Sequence, residues 1–316
     1  MCAMPNSLPE LMFSRVYDAP VELMFRLWTE PEHIRRWWGP HDFTVPRAEF
    51  DARPGGRLRI DFRGPDGEVF PNLGQVREVS PFERLVFTAE YRHGGEKLLV
   101  GSLVTVTFSD EGGKTRVTVR AEVYHAAPEA ADSVAGMEEG WTQQLEKLEL
   151  EALAAAHGKP GRLTMALPEG RPYILMTRML GAPRELVWTC MTQQAHFANW
   201  WGPRSYTNEI TDFDVRPGGR WRVIQRDSGG EEFIFRGTFR ELVPPERLVW
   251  TFGMENMFEG VEAVETYILE DFGGRTRYVA ISRFPSLEAR DGMTATDMEW
   301  GANESLDRLE ELARTL

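Results

Sequence analysis

A duplication constrains this chain more than anything else in it. Shifted by 163 positions, RVYDAPVEL from Arg15 lies over RMLGAPREL from Arg178, and His33 lies over His196. WWGP at Trp37–Pro40 falls on WWGP at Trp200–Pro203, FDARPGGRLR from Phe50 on FDVRPGGRWR from Phe213, and ERLVF from Glu83 on ERLVW from Glu246. From Arg15 to Phe87, 32 of 73 ungapped positions are identical. Farther on the shift is 161: GGKTR from Gly112 meets GGRTR from Gly273, and MEEG from Met137 meets MEWG from Met298. A net two-residue deletion therefore falls between Tyr91 and Phe108, where a hairpin loop is expected. A period this long is a whole domain rather than a solenoid repeat, and each unit can bury its own core. A stretch with scattered Gly and Pro runs from Ala154 to Pro172 between them. The expected boundaries are a first domain at 10–157, a linker at 158–170 and a second domain at 171–316.

Each unit reads in the same order. A short strand comes first, Phe13–Tyr17 in unit 1 and Tyr173–Leu180 in unit 2. Ala-Pro then opens a helix, with Pro20 and Pro183 where a missing N–H does no harm. A second short helix, around Glu32 to Trp38, stops at Gly39-Pro40. The apolar period then becomes two: Leu58, Ile60, Phe62; Leu85, Phe87, Ala89, Tyr91; Val104, Val106, Phe108; and Val117, Val119, Ala121, Val123. These predict about six half-buried antiparallel strands joined by tight turns, one of them at Arg53–Arg57. A long amphipathic helix closes each unit, with Met137, Trp141, Leu145, Leu148 and Ala152 on one face, and Met298, Ala302, Leu306, Leu309 and Ala313 on its counterpart. A curved sheet with a helix across its concave face is the packing these elements predict, an α+β fold written twice.

Bulk properties remove several function classes. The 316 residues carry a formal net charge of −13 and no run of Lys or Arg, which disfavours nucleic acid and anionic membranes as partners. The two cysteines, Cys2 and Cys190, imply no disulfide framework, and Cys190 reads as a small buried hydrophobe. The opening MCAMPNSLPE lacks the pattern of a secretory leader, and no stretch approaches a membrane span, so a cytoplasmic protein is expected. The six histidines are scattered without metal-ligand spacing, and neither a nucleophile elbow nor a Cys–His pair is present. No metal and no cofactor are expected.

The motifs AP-x-E-L, WWGP, D-x-RPGGR, ERLVF/ERLVW and GMEEGW resemble the domain of activators of Hsp90 ATPase homologue 1. That family belongs to the START/Bet v 1-like (SRPBCC) superfamily of helix-grip folds. The resemblance covers nearly all of both units. It implies a seven-stranded antiparallel sheet gripping the C-terminal helix, with a cavity between them. It also implies an apolar cargo, since members bind lipids, steroids and polyketides and a few catalyse reactions. Two departures stand out. Nothing in these 316 residues resembles the separate N-terminal domain that the eukaryotic activator needs for full Hsp90 stimulation. Unit 2 has Ala302 where unit 1 has Trp141, which implies unequal cavities.

WWGP has two readings, a structural corner or a cavity mouth, and Trp38 and Trp201 are the tryptophans assigned to ligand if one of each pair meets it. Asp51 with Arg53, and Asp214 with Arg216, read as turns closed by a local ion pair rather than as a partner clamp. Comparing the two copies is more informative. Phe62, Asn72, Val104, Val106 and Val117 of unit 1 become Gln225, Phe235, Glu265, Tyr267 and Tyr278 in unit 2. In one strand register Glu265 faces the cavity, buried with a raised pKa; in the other it faces solvent. The expected ligand contacts are Trp38, Phe62, Tyr91, Val104, Met137 and Trp141 in unit 1. In unit 2 they are Trp201, Gln225, Phe235, Trp250, Glu265, Tyr267 and Met298.

The expected function is non-enzymatic binding of a small apolar molecule, lipid-like or polyketide-like, between sheet and helix. One alternative is an enzyme of cyclase or hydrolase type with Glu265 as acid/base. Another is an Hsp90-associated co-chaperone or stress-response factor, with its binding energy on the outer surface. The two units are expected to pack as a pseudo-dimer within one chain.

Overall fold

A computed structural model describes residues 8–93, 97–255, 257 and 260–316. Cys2 and the first seven residues of the opening stretch lie outside this set, as does the side chain of His93. The chain divides at His157/Gly158 into two units.

In unit 1, β1 (Glu10–Tyr17) leads into α1 (Val21–Thr29) and α2 (Pro31–Trp37). Then come β2 (Thr44–Phe50), β3 (Arg57–Arg63), β4 (Val69–Ser80), β5 (Arg84–His93), β6 (Lys97–Asp110) and β7 (Thr115–Ala126). A short helix α3 (Ala131–Ala135) precedes the long α4 (Met137–His157). Six strands form an antiparallel meander and β1 closes it by pairing with β7, giving the order β1-β7-β6-β5-β4-β3-β2.

Unit 2 repeats this plan with one addition. Its elements are β8 (Thr164–Ala166), β9 (Tyr173–Leu180), α5 (Arg184–Thr192), α6 (Gln194–Trp200), β10 (Thr207–Phe213), β11 (Arg220–Arg226) and β12 (Glu232–Val243). They continue with β13 (Arg247–Met254), β14 (Glu262–Asp271), β15 (Thr276–Arg283), α7 (Leu287–Thr294) and α8 (Met298–Ala313). The added strand β8 lies in the segment expected as linker and pairs along the outer edge of β9. Edge strand β1 alternates exposed and half-buried residues, whereas β9, covered by β8, is buried at seven of its eight positions. Covering an edge in this way satisfies backbone groups that otherwise face water.

Local chemistry accounts for the entry and the corner of each unit. Pro20 and Pro183 sit at the N-caps of α1 and α5. Gly39 and Gly202 follow α2 and α6 with φ of +84° and +77°, the left-handed region in which a side chain is strained. The hydroxyl of Thr115 donates to the Ala19 carbonyl at 2.7 Å, and that of Thr276 to Ala182 at 2.6 Å, tying the helix entry to the sheet in both units. The sheets bend at matching places, because the register slips between Val76 and Glu78 in one unit and between Phe239 and Glu241 in the other. Such bulges curve a strand. The C-terminal half of each long helix fills the resulting hollow: Leu145, Leu148, Ala152, Leu306, Leu309 and Ala313 are all buried.

Candidate functional site

The doubled tryptophan divides its work between two residues. Trp37 donates its indole N–H to the Leu27 carbonyl at 2.9 Å, and Trp200 donates to the equivalent Cys190 carbonyl at 2.8 Å. The first tryptophan therefore staples the two short helices together. The second faces the hollow: Trp38 packs on Phe87 and Trp141 with ring centroids 6.0 and 6.3 Å away, and Trp201 packs on Phe235 and Trp250 at 6.4 and 5.7 Å. The carbonyls left open at the end of the short helix are met by a cation from the long helix. Lys147 Nζ donates to the carbonyls of Trp38, Pro40 and Phe43 at 3.3, 3.2 and 3.0 Å. Arg308, at the equivalent position, donates to those of Gly202 and Pro203 at 2.7 and 3.0 Å. WWGP is thus a structural corner whose second tryptophan forms cavity wall.

Behind each corner lies a cavity, about 380 Å³ in unit 1 and about 390 Å³ in unit 2. Trp38, Phe62, Tyr91, Met137 and Trp141 line the first. Val104 lies deeper, fully buried in the core rather than on the wall. Among the described residues this wall holds no Asp, Glu, Lys, Arg or His. Its polarity comes from neutral amides. Gln144 Oε1 accepts the Gly39 N–H at 2.8 Å, which fixes the orientation of the amide and leaves its buried Nε2 without a partner. Asn72, 1 % exposed, likewise has a buried Oδ1 without a partner. Leaving such groups unpaired costs roughly 1–3 kcal/mol each, and both residues belong to the cavity lining.

Trp201, Gln225, Phe235, Glu265, Tyr267 and Met298 line the second cavity. Trp250, expected there, is fully buried behind Glu265. Gln225 is held by the corner: it donates to Asn208 Oδ1 at 3.0 Å and packs against Gly202. Glu265 has the most unusual surroundings. The ladder places it opposite Trp250 on β13 and Ser282 on β15, and residues directly opposite share a face. Tyr267, two residues along β14, shares that face as well. Glu265 Oε2 accepts from Trp250 Nε1 at 3.0 Å and from the Tyr267 hydroxyl, while Oε1 accepts from Ser282 Oγ at 3.1 Å. Its accessible part belongs to the cavity wall. Burial pushes its pKa up, against the pull of these three donors. The Tyr267 and Tyr278 hydroxyls are also pushed well above their usual value, mainly by burial.

Sequence comparison alone missed Ser282, Gln144 and the paired cations Lys147 and Arg308. The change from Ala121 to Ser282 was readable, but nothing local links Ser282 to Glu265. The remaining candidates are structural. Arg53 and Asp51 form an exposed ion pair at 2.8 Å, worth little in water. Gly56 and Gly219 sit where a Cβ would lie 2.0 and 1.9 Å from the Asp51 and Asp214 carbonyls, so close approach explains those glycines. Burial raises the Cys190 thiol to about 11, leaving it inert at neutral pH. His33 Nδ1 lies 2.8 Å from Glu151, a position held by Leu312 in unit 2. Among the described residues no group of His, Cys, Asp or Glu is arranged to hold a metal ion, and no helix is long and apolar enough to cross a membrane.

The sequence profile of the family described as activator of Hsp90 ATPase homolog 1-like protein matches residues 18–152 and 181–314, once in each unit. The chain belongs to this family. No curated protein matches it. Among solved structures, a Rhodobacter sphaeroides protein is 22% identical, with a TM-score of 0.46, and the match covers 49% of this chain and 99% of that one. A Mycobacterium smegmatis protein is 19% identical, with a TM-score of 0.44, covering 47% of this chain and 94% of its own. An AHSA1 protein from Silicibacter pomeroyi is 23% identical, with a TM-score of 0.40, covering 45% and 96%. The duplicated AHSA1-like domain is thus a tandem helix-grip fold.

Proposed function

We propose that this tandem AHSA1-like protein binds small, largely apolar molecules, lipid-like or polyketide-like, in the cavities between sheet and long helix. The observation that carries this reading is the pair of aromatic-walled cavities of about 380 and 390 Å³, each within the usual size of a small-molecule site. In unit 1, Trp38, Phe62, Tyr91, Met137 and Trp141 supply apolar wall. The unpartnered amides of Asn72 and Gln144 supply one acceptor and one donor for a neutral polar group on the ligand. In unit 2 the wall comes from Trp201, Gln225, Phe235, Glu265, Tyr267 and Met298. Native mass spectrometry of freshly purified protein, followed by denaturing spectra of the same sample, tests the reading. An adduct lost on denaturation supports it. Failure of any apolar compound in a screened panel to quench tryptophan fluorescence or shift the unfolding midpoint would refute it.

A second reading is favoured by Glu265 alone: a buried acid with a raised pKa is suited to proton transfer on a bound apolar substrate. Turnover of a bound compound that vanishes in Glu265→Gln while binding persists would favour it. The family also suggests an Hsp90-type chaperone as partner. Charge reversals on the outer surface, but not cavity substitutions, would then weaken co-precipitation with Hsp90.

A further inference from the structure

Unit 2 differs from unit 1 by a coordinated set of substitutions. Phe87, Val104, Val106, Val117 and Ala121 are all apolar, and their counterparts Trp250, Glu265, Tyr267, Tyr278 and Ser282 all carry polar atoms. One of these is a carboxylate and the other four are neutral, so the set brings a negative charge into the fold without bringing a positive one. Among the described residues, no Lys, Arg or His lines this cavity, while a second acid, Asp297, stands exposed at the start of α8 on the same lining. A charge in such surroundings is disfavoured unless a counter-charge arrives.

The rest of the wall suits a cation. Trp201, Phe235, Phe252, Tyr267 and Tyr278 present aromatic rings to this cavity, with Phe235–Phe252 and Tyr267–Tyr278 centroids 5.6 and 5.7 Å apart. Ring faces attract organic cations, more strongly when water is excluded. The carboxylate also retains capacity. Oε2 accepts two hydrogen bonds and Oε1 only one, from Ser282, whereas a carboxylate accepts about four. One N–H donor can still be taken at Oε1.

We infer that the second cavity selects an organic ammonium: an apolar body carrying a protonated primary or secondary amine, which pairs with Glu265 inside an aromatic wall. The inference rests on the reading that the cavity binds small molecules. It makes the two units of one chain receptors for different chemistry, neutral polar in the first and cationic in the second.

The test uses three probes with one body: decylamine, decanol and decanoate, titrated into the full chain and read by calorimetry and tryptophan fluorescence. Decylamine should bind about 10-fold more tightly than decanol, an ordinary increment for a desolvated cation on aromatic rings, and decanoate should bind worst. In Glu265→Gln the preference of amine over alcohol should fall to within about twofold, as expected once the charge is gone. Should that variant fail to fold, wild-type protein supplies a second reading. Decylamine affinity should rise with pH across the ionisation of Glu265, while decanol affinity stays flat. The other titratable groups facing the site are Tyr267 on β14 and Tyr278 on β15, both held neutral by burial, and the exposed Asp297. Equal binding of amine and alcohol, or tighter binding of decanoate, overturns the inference while leaving cavity binding intact. Binding of none of the three overturns both.

Discussion

Replacing Lys147 by methionine isolates the tie that holds the unit 1 corner. The substitution keeps the alkyl stem and its packing but removes the ammonium group. In the wild type that group donates to the carbonyls of Trp38, Pro40 and Phe43 at 3.0–3.3 Å, all partly buried. A hydrogen bond involving a charged group contributes about 1.5–3 kcal/mol, and an acceptor left buried and unpaired costs about 1–3 kcal/mol. Two of the three contacts are long and water can reach part of the corner, so about 1 kcal/mol per carbonyl is the reasonable choice. The sum is about 3 kcal/mol, or roughly a 100-fold shift in the opening equilibrium. Because the ammonium binds carbonyl dipoles rather than a single counter-ion, moderate salt should change the effect little. Hydrogen exchange read by mass spectrometry localises the loss: amides of β3 to β6 should exchange about 100-fold faster in the variant, with unit 2, held by Arg308, as internal comparison. Acceleration of less than about threefold would mean that the three contacts contribute no more than a surface ion pair, and the role assigned to this cation would be wrong.

Three further outcomes are expected. Gly39→Ala should cost about 1–2 kcal/mol in urea denaturation from left-handed strain alone, since the new Cβ meets Phe62 no closer than 3.5 Å; Gly202→Ala should cost more, because its Cβ lands 1.9 Å from Gln225 Nε2 and must break the bond to Asn208. Equal costs would count against the packing of Gln225 described above. Glu265 holds its proton more tightly folded than unfolded, so the folded state binds more protons between the ordinary carboxylate value, about 4.3, and the raised one; its ionisation must weaken the fold as pH rises through that window. The stability of the wild type relative to Glu265→Gln should therefore fall with rising pH in a urea series, and a flat or rising difference refutes the assignment. Thr115→Val and Thr276→Val should each cost about 1 kcal/mol by stranding the Ala19 and Ala182 carbonyls; a neutral pair of variants would show that water replaces the hydroxyls.

Much of the architecture was legible before any coordinates. Period-two runs such as Leu58-Ile60-Phe62 became strands, and Gly39 and Gly202 ended their helices, because these signals are local: backbone angles and alternation depend on neighbours along the chain. Elements without such a signal were not read. α3 and α7 are too short to show a helical period, and β8 spans three residues in a stretch rich in Gly and Pro. In the site, Trp38 and Trp201 could be named from the repeat, but their separation in role from Trp37 and Trp200 could not, since each pair is identical in sequence.

The sequence by itself determined that one domain is present twice, that each copy carries strands, two short helices and a long one, and that the copies differ where Val104, Val106 and Val117 become Glu265, Tyr267 and Tyr278. Alternation assigns residues to the two faces of a strand without saying which face is the core or which strand lies alongside. Only the tertiary structure decided that. The pairing of β13, β14 and β15 brought Trp250 and Ser282, 15 residues before and 17 after Glu265, onto its two oxygens. The packing of α4 carried Lys147 across 109 residues to the Trp38 carbonyl. Contacts between residues so far apart are set by register and docking of whole elements, which the cooperative burial of the core selects and no local pattern encodes.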